Sequence, residues 1–184
     1  SVFRLGFFLI VSLAAHVGCF YLFQVVYPKS DRALPYTAAL TVLERLWRSL
    51  RIDRDGTIVG LGGGCTTDLA GFAAATYMRG VAWVAVPTTL VGQVDAAIGG
   101  KTAVDLPGGK NLVGAFHWPA RVVIDPGALE TLPDAELRNG MAEAVKTGLL
   151  MGDPVWELPL SELVRRCASY KSAVCLADPH DRGP

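Results

Sequence analysis

The segment GMAEAVKTG carries Glu143 and Lys146 three residues apart. At that spacing a carboxylate and an ammonium share one helical face, and an intrahelical ion pair is its commoner meaning. Met141, Ala142, Ala144 and Val145 around them are apolar, so the pair is expected beside a core or a cleft. There a carboxylate can bind a metal, and a lysine can bind an anion or move a proton. A second set lies upstream in QVDAAIGGKTAVDLPGGKNLVGAFHWP, residues 93–119, with Asp95, Lys101, Lys110 and Asn111. Read as a glycine-rich loop, it suits a phosphate, because lysine brings a mobile positive charge and glycine lets the backbone come close. A solvated surface loop would explain the lysines but not the apolar residues between them. A third signal is GLGGGCTTD, residues 60–68, which joins an apolar run to a helix start. Backbone N–H groups and the helix dipole at such a junction can hold a pyrophosphate. Alone it says little, since tight packing also asks for glycines and the spacing is not GxGxxG.

These side chains need elements to position them. Residues 57–61 (TIVGL) read as a short buried strand closed by Gly62, Gly63 and Gly64. A helix follows, with Thr67 or Asp68 as its cap and an alanine-rich stretch over residues 69–78. Residues 81–86 form the next apolar strand, ended by Pro87, and residues 121–125 (RVVID) form another. The pattern predicts helices over residues 134–150, opened by Pro133, and over residues 161–177. Upstream, a polar break at residues 28–35 precedes an amphipathic helix over residues 36–50, with Leu40, Leu43, Leu46, Trp47 and Leu50 at helical spacing. Alternating strands and helices give an α/β fold with a mostly parallel sheet. The expected organisation is an apolar N-terminal segment over residues 1–35, a nucleotide-binding α/β domain over residues 36–132, and the start of a helical domain over residues 133–184.

A chain of 184 residues suffices for one domain, or one domain with part of another. Its composition is 51% hydrophobic and 18% charged with zero formal net charge, which argues against a nucleic-acid binder and for a small ligand. Cys19, Cys65, Cys167 and Cys175 lack paired CxxC spacing, so neither a zinc knuckle nor a disulfide framework is expected, and the cytoplasm is the default compartment. Residues 5–26, LGFFLIVSLAAHVGCFYLFQVV, have the length and polarity to cross a membrane. One reading is an anchor or uncleaved signal sequence; the other is a buried strand and helix, or a misread start. His16, Gln24 and the single flanking charge Arg4 count against the anchor.

Taken together, GGGCTTDLAGFAAATYMRG, VPTTL, the stretch over residues 93–119, LETLP and NGMAEAVKTGL resemble, in order and spacing, the 3-dehydroquinate synthases of the sugar phosphate cyclase superfamily. The resemblance runs from about Gly56 to Gly183. It implies a shikimate-pathway lyase that converts the seven-carbon sugar acid phosphate DAHP into 3-dehydroquinate and releases phosphate, using NAD and a divalent metal, zinc or cobalt. By resemblance Gly64, Cys65, Thr66, Thr67, Asp68, Thr88 and Thr89 fall where the family binds NAD, as do Lys101, Lys110, Ala128, Leu129, Glu130 and Thr131. Asp95, Lys101, Asn111 and Lys146 fall where it binds substrate, and Glu143 matches the carboxylate ligand of the metal. Arg79 matches an arginine that reaches the phosphate in a neighbouring subunit, which implies a homodimer.

The sequence departs from the family pattern at both ends. The DGExxK-like segment that contributes to NAD binding has no counterpart in SDRALPYTAALTV, and no HxxxH histidine motif occurs. His117 and His180 are read as non-ligands. One carboxylate without its histidines leaves a catalytic metal site unfilled, so no turnover is expected of this chain alone. Two rival readings stand beside this one. The first is a cyclase acting on sedoheptulose 7-phosphate or glucose 6-phosphate; the second is a noncatalytic, membrane-tethered remnant that keeps a nucleotide pocket or dimer surface.

Overall fold

The structure, a computed structural model, describes residues 45, 47–49, 51–106 and 109–183. The candidate membrane segment, the polar break and most of the amphipathic helix lie outside these residues. Of that helix, Arg45 and residues 47–49 are helical, and Trp47 is buried.

Strand β1 (Thr57–Gly62) alternates buried and half-buried residues from Ile58 onward, as a strand with one face on a core must. It leads through Gly63 into helix α1 (Gly64–Thr76), which crosses back over the sheet to β2 (Ala82–Pro87). The two strands pair in parallel in register from Thr57 opposite Ala82 to Gly62 opposite Pro87. The third strand, β5 (Arg121–Val122), pairs with β2, giving the order β1-β2-β5 with all strands parallel. The expected strand over residues 121–125 is thus shorter in its ladder, although Val123 N–H still donates to Ala85 O at 2.8 Å. Helix α1 lies close on the sheet because small residues face it: a Cβ added to Gly60 would stand 2.8 Å from the Ala70 methyl.

The glycine-rich stretch is not the loop the sequence suggested. After a π-helical turn at Gly92–Ala96, it forms an antiparallel hairpin of β3 (Lys101–Leu106) and β4 (Gly109–Phe116). Thr102 and Val104 are buried on one face, and α1 packs against that face so closely that a Cβ on Gly71 would meet Thr102 Cγ2 at 2.3 Å. Val104, one of the apolar residues between the lysines that a solvated loop left unexplained, therefore packs.

Helices α2 (Asp134–Met151) and α3 (Leu160–Ala177) follow the predicted spans closely. Gly152 ends α2 in the left-handed region at φ 69°, where a glycine needs no Cβ accommodated. Two hydrophobic clusters result. One joins Trp47, Ile58, Tyr77, Val81 and Trp83 beneath the sheet. The other joins Leu90, Val94, Leu129, Ala144, Leu163 and Val164 between the helices.

Candidate active site

The glycine turn stands at the carboxyl end of β1, the side of a parallel sheet on which ligands bind in open α/β folds. Gly63 precedes the first helical residue in an extended conformation, and no side chain caps the helix. Thr67 and Asp68 are not caps: both lie inside α1, and Thr67 Oγ1 donates back to Gly64 O at 2.9 Å. A threonine one turn into a helix prefers this i−3 carbonyl, which removes it from capping. The bare helix start is closely backed, since a Cβ on Gly63 would come within 2.9 Å of Thr89 Cγ2 and one on Gly64 within 3.3 Å of the Ala96 methyl. Thr88 N–H donates to Gly62 O at 2.8 Å, and Thr89 Oγ1 accepts from Gly92 N–H at 3.2 Å. The structure thus brings Gly64, Cys65, Thr66, Thr67 and Asp68 together with Thr88 and Thr89.

Asp68 is largely buried, and that desolvation, reinforced by the negative charge of Asp105, pushes its carboxyl up to about 7. Asp105 on β3 accepts from Asn111 N–H at 3.1 Å, and Asn111 itself sits in the left-handed region at φ 58°. The hairpin therefore places Asn111 next to the carboxyl pair. Lys110 precedes it on the same strand and is exposed.

A second cluster forms around Asp95 in the π-helical turn. Its Oδ1 lies 2.6 Å from Lys171 Nζ and its Oδ2 3.7 Å from Lys146 Nζ. Lys146 also pairs with Glu143 on α2, as their spacing predicted. The hydrogen bond that Lys146 donates to Glu143, with the nearby Asp95 charge, holds its ammonium above the usual range. The Lys146 side chain is 52% exposed, so solvent weakens each pair, and the cluster is better read as an ordered array of charges than as a source of stability. Sequence reasoning missed Lys171. It sits in α3, whose pattern marks it only as a polar position, and its partner Asp95 is remote in sequence.

The other predicted residues are spread more widely. Lys101, at the start of β3, pairs with Asp181 at 2.5 Å, and both are exposed. Ala128 and Leu129 belong to a 3-10 turn, Pro126–Leu129, whose cap Asp125 accepts from Gly127 N–H at 2.9 Å. Leu129 points into the second core, while Glu130 and Thr131 are exposed. Arg79 lies beyond the opposite end of α1 from the glycine turn, exposed, in a turn where Met78 and Arg79 both have positive φ. A helix of that length spans about 20 Å, so Arg79 stands well away from the glycine turn of its own chain. An open hollow lined by Arg48, Ile52, Thr76, Tyr77 and Met78 lies at that same far end.

His117 and His180 take up structural contacts. The His117 ring nitrogen Nε2 lies 2.9 Å from Val81 O, and the His180 ring packs edge-on against Phe116. Among the described residues no group of three His, Cys, Asp or Glu side chains could hold a metal ion. Cys167 is fully buried, and that burial, with Asp153 nearby, raises its thiol above the ordinary range, so it packs as an apolar side chain.

Residues 24–139 match the family model for the N-terminal region of 3-dehydroquinate synthase, so the match begins upstream of the Gly56 at which the sequence resemblance starts. The 3-dehydroquinate synthase of Mycobacterium leprae is 48% identical over 76% of the chain and 43% of its own length. The chain spans about half the length of the curated relatives it matches. A 2-deoxy-scyllo-inosose synthase complexed with carbaglucose-6-phosphate, NAD+ and Co2+ superposes with a TM-score of 0.72 at 31% identity, over 79% of this chain and 44% of that one. A 2-epi-5-epi-valiolone synthase from Streptomyces hygroscopicus, with NAD+ and Zn2+ bound, gives 0.71 at 29% identity, over 79% of this chain and 45% of the other.

Proposed function

The chain belongs to the 3-dehydroquinate synthase family, and from that premise we propose that it supplies the NAD cradle and part of the substrate site for converting DAHP into 3-dehydroquinate with release of phosphate. One observation carries this reading: a single turn, Gly92–Ala96, serves both halves. Ala96 backs Gly64 at the helix start, and the adjacent Asp95 draws in Lys146 and Lys171. A nucleotide-type helix start therefore adjoins a pair of ammonium groups, which is what a reaction between a dinucleotide and an anionic sugar requires.

The residues fit NAD. The uncapped start of α1 offers a pyrophosphate the helix dipole, and the Gly63 and Gly64 surfaces leave no room for a Cβ without displacing Thr89 or Ala96. Bound there, NAD would take up and return a hydride. Asp68, whose carboxyl is pushed up to about 7 by burial and by Asp105, would in its ionised form accept from a ribose hydroxyl. Lys146 and Lys171 would hold the substrate's phosphate or carboxylate and offset negative charge that develops during elimination. Asp95 pairs with both ammonium groups, one through each oxygen. Lys101 and Asn111 would border the sugar from the hairpin, and Lys101 and Lys110, with Ala128, Leu129, Glu130 and Thr131, would close the nucleotide side.

The described residues do not fit a metal by themselves. Glu143 is one carboxylate, already paired with Lys146. Arg79, exposed at the far end of α1, would serve the phosphate of a neighbouring subunit, consistent with a homodimer in the cytoplasm.

The two structural neighbours favour a second reading, a cyclase for a different sugar phosphate. Calorimetric titration of the chain with NAD tests the shared part. One site per chain is expected, with affinity reduced at least tenfold in Asp68→Ala. A folded chain that takes up no NAD would overturn the proposal. Titration with DAHP, sedoheptulose 7-phosphate and glucose 6-phosphate in the presence of NAD would then separate the two readings.

A further inference from the structure

Gln93 lies fully buried among apolar residues, yet it is neither a charge partner nor a surface group. Its Nε2 donates to two backbone carbonyls at once, Pro87 O at 3.1 Å and Asp125 O at 2.7 Å. Because both partners are acceptors, the amide nitrogen must face them, and the side-chain orientation is fixed. Its Oε1 is buried without a hydrogen-bond partner among the described residues. An apolar side chain of similar size would avoid that orphan acceptor, so the amide serves the two carbonyls.

The positions of those carbonyls matter. Pro87 ends β2 and is followed by Thr88 and Thr89; Asp125 follows β5 and caps the turn that carries Ala128 and Leu129. Beyond Ala85 opposite Val122, no ladder pairing joins these two chain segments. Past the last cross-strand bond, from Val123 to Ala85, the amide of Gln93 bridges them. The main chain of Gln93 is anchored in turn by its N–H donating to Thr89 O at 3.0 Å.

We propose that Gln93 is a positioning residue that sets the distance between the Thr88–Thr89 turn and the segment over residues 126–131, and through that spacing the affinity for the dinucleotide. This rests on the nucleotide reading of those segments. Losing the amide strips the buried Pro87 carbonyl of its donor and leaves Asp125 O with only the local Ala128 N–H at 3.1 Å, so nothing among the described residues then bridges the strand ends and they can part. The effect falls on the ligand whose two ends the segments hold.

Calorimetric titration of the chain with NAD, comparing wild type with Gln93→Met and Gln93→Glu, distinguishes positioning from folding. A positioning role raises Kd at least tenfold in Gln93→Met at unchanged stoichiometry of sites. A merely structural role lowers the number of competent sites and leaves Kd alone. Should Gln93→Met fail to fold, Gln93→Glu carries the test: its protonated form keeps one donor, so its Kd should worsen as pH rises, with a steeper dependence than wild type. Unchanged Kd in a folded variant, or Gln93→Glu tracking wild type across pH, would overturn the inference. If wild type binds no NAD, the nucleotide reading fails and this inference with it.

Discussion

Asp68 shows how one side chain can couple a binding site to stability. Its carboxyl titrates near 3.8 when unfolded and near 7 when folded, because burial and Asp105 both disfavour the charge. The folded chain thus holds a proton that the unfolded chain releases across that interval. This contribution to stability is fully present below about pH 3.8 and is lost as pH rises through about 7. Over the window the loss runs at up to about 1.4 kcal/mol per pH unit. Asp68→Asn should therefore unfold at higher urea than wild type at pH 8 and show no such advantage at pH 3.5. Urea titrations at a series of pH values check this, and an advantage that persists at low pH would refute the assignment. The same residue was legible in the sequence as part of GGGCTTD, whereas its carboxyl neighbour Asp105 was not, because only the hairpin brings the two together.

Among the elements, the close approach of α2 to the chain after β2 constrains the backbone of both. A Cβ on Gly140 would stand 2.4 Å from Leu90 Cβ and 2.8 Å from Val91 N, so the backbone itself would have to shift. Gly140→Ala should cost about 1–3 kcal/mol despite the gain in helix propensity, read as a lower midpoint in chemical denaturation. Strands β1 and β2 and helices α2 and α3 were legible because apolar runs of the right period end at glycine or proline. The hairpin was not: glycines and lysines in residues 93–119 suggested a loop, and the alternation through Thr102 and Val104, with LPGG as a turn signal, went unread. Asp95 and Lys146 were legible as candidates by type, while Lys171 required the packing of α3 against the π-helical turn.

Over the whole molecule, the apolar surface is unevenly distributed. Leu149 and Leu150 at the end of α2 and Val174 and Leu176 at the end of α3 are all about half exposed or more. With zero formal net charge, little repulsion opposes contact between such surfaces. The double variant Leu150→Lys, Leu176→Lys should change stability by no more than about 0.5 kcal/mol. Its self-association at high concentration, measured by sedimentation velocity, should fall below that of wild type. A large loss of stability instead would mean that these side chains are packed rather than exposed.

The bridge made by Gln93 also dictates an order of events when the chain folds. The hairpin and the two-helix unit can form from near neighbours, but β5 must close a loop of roughly 35 residues to reach β2, at a price in chain entropy that only its later contacts offset. The carbonyl of Asp125 arrives with it. During synthesis the glycine turn, the threonine turn and Gln93 itself would all have emerged before the second anchor exists, so the cleft stays open on one side until β5 docks. Competence to hold a dinucleotide would then appear abruptly and late, as a step that trails the bulk of secondary structure rather than growing with it.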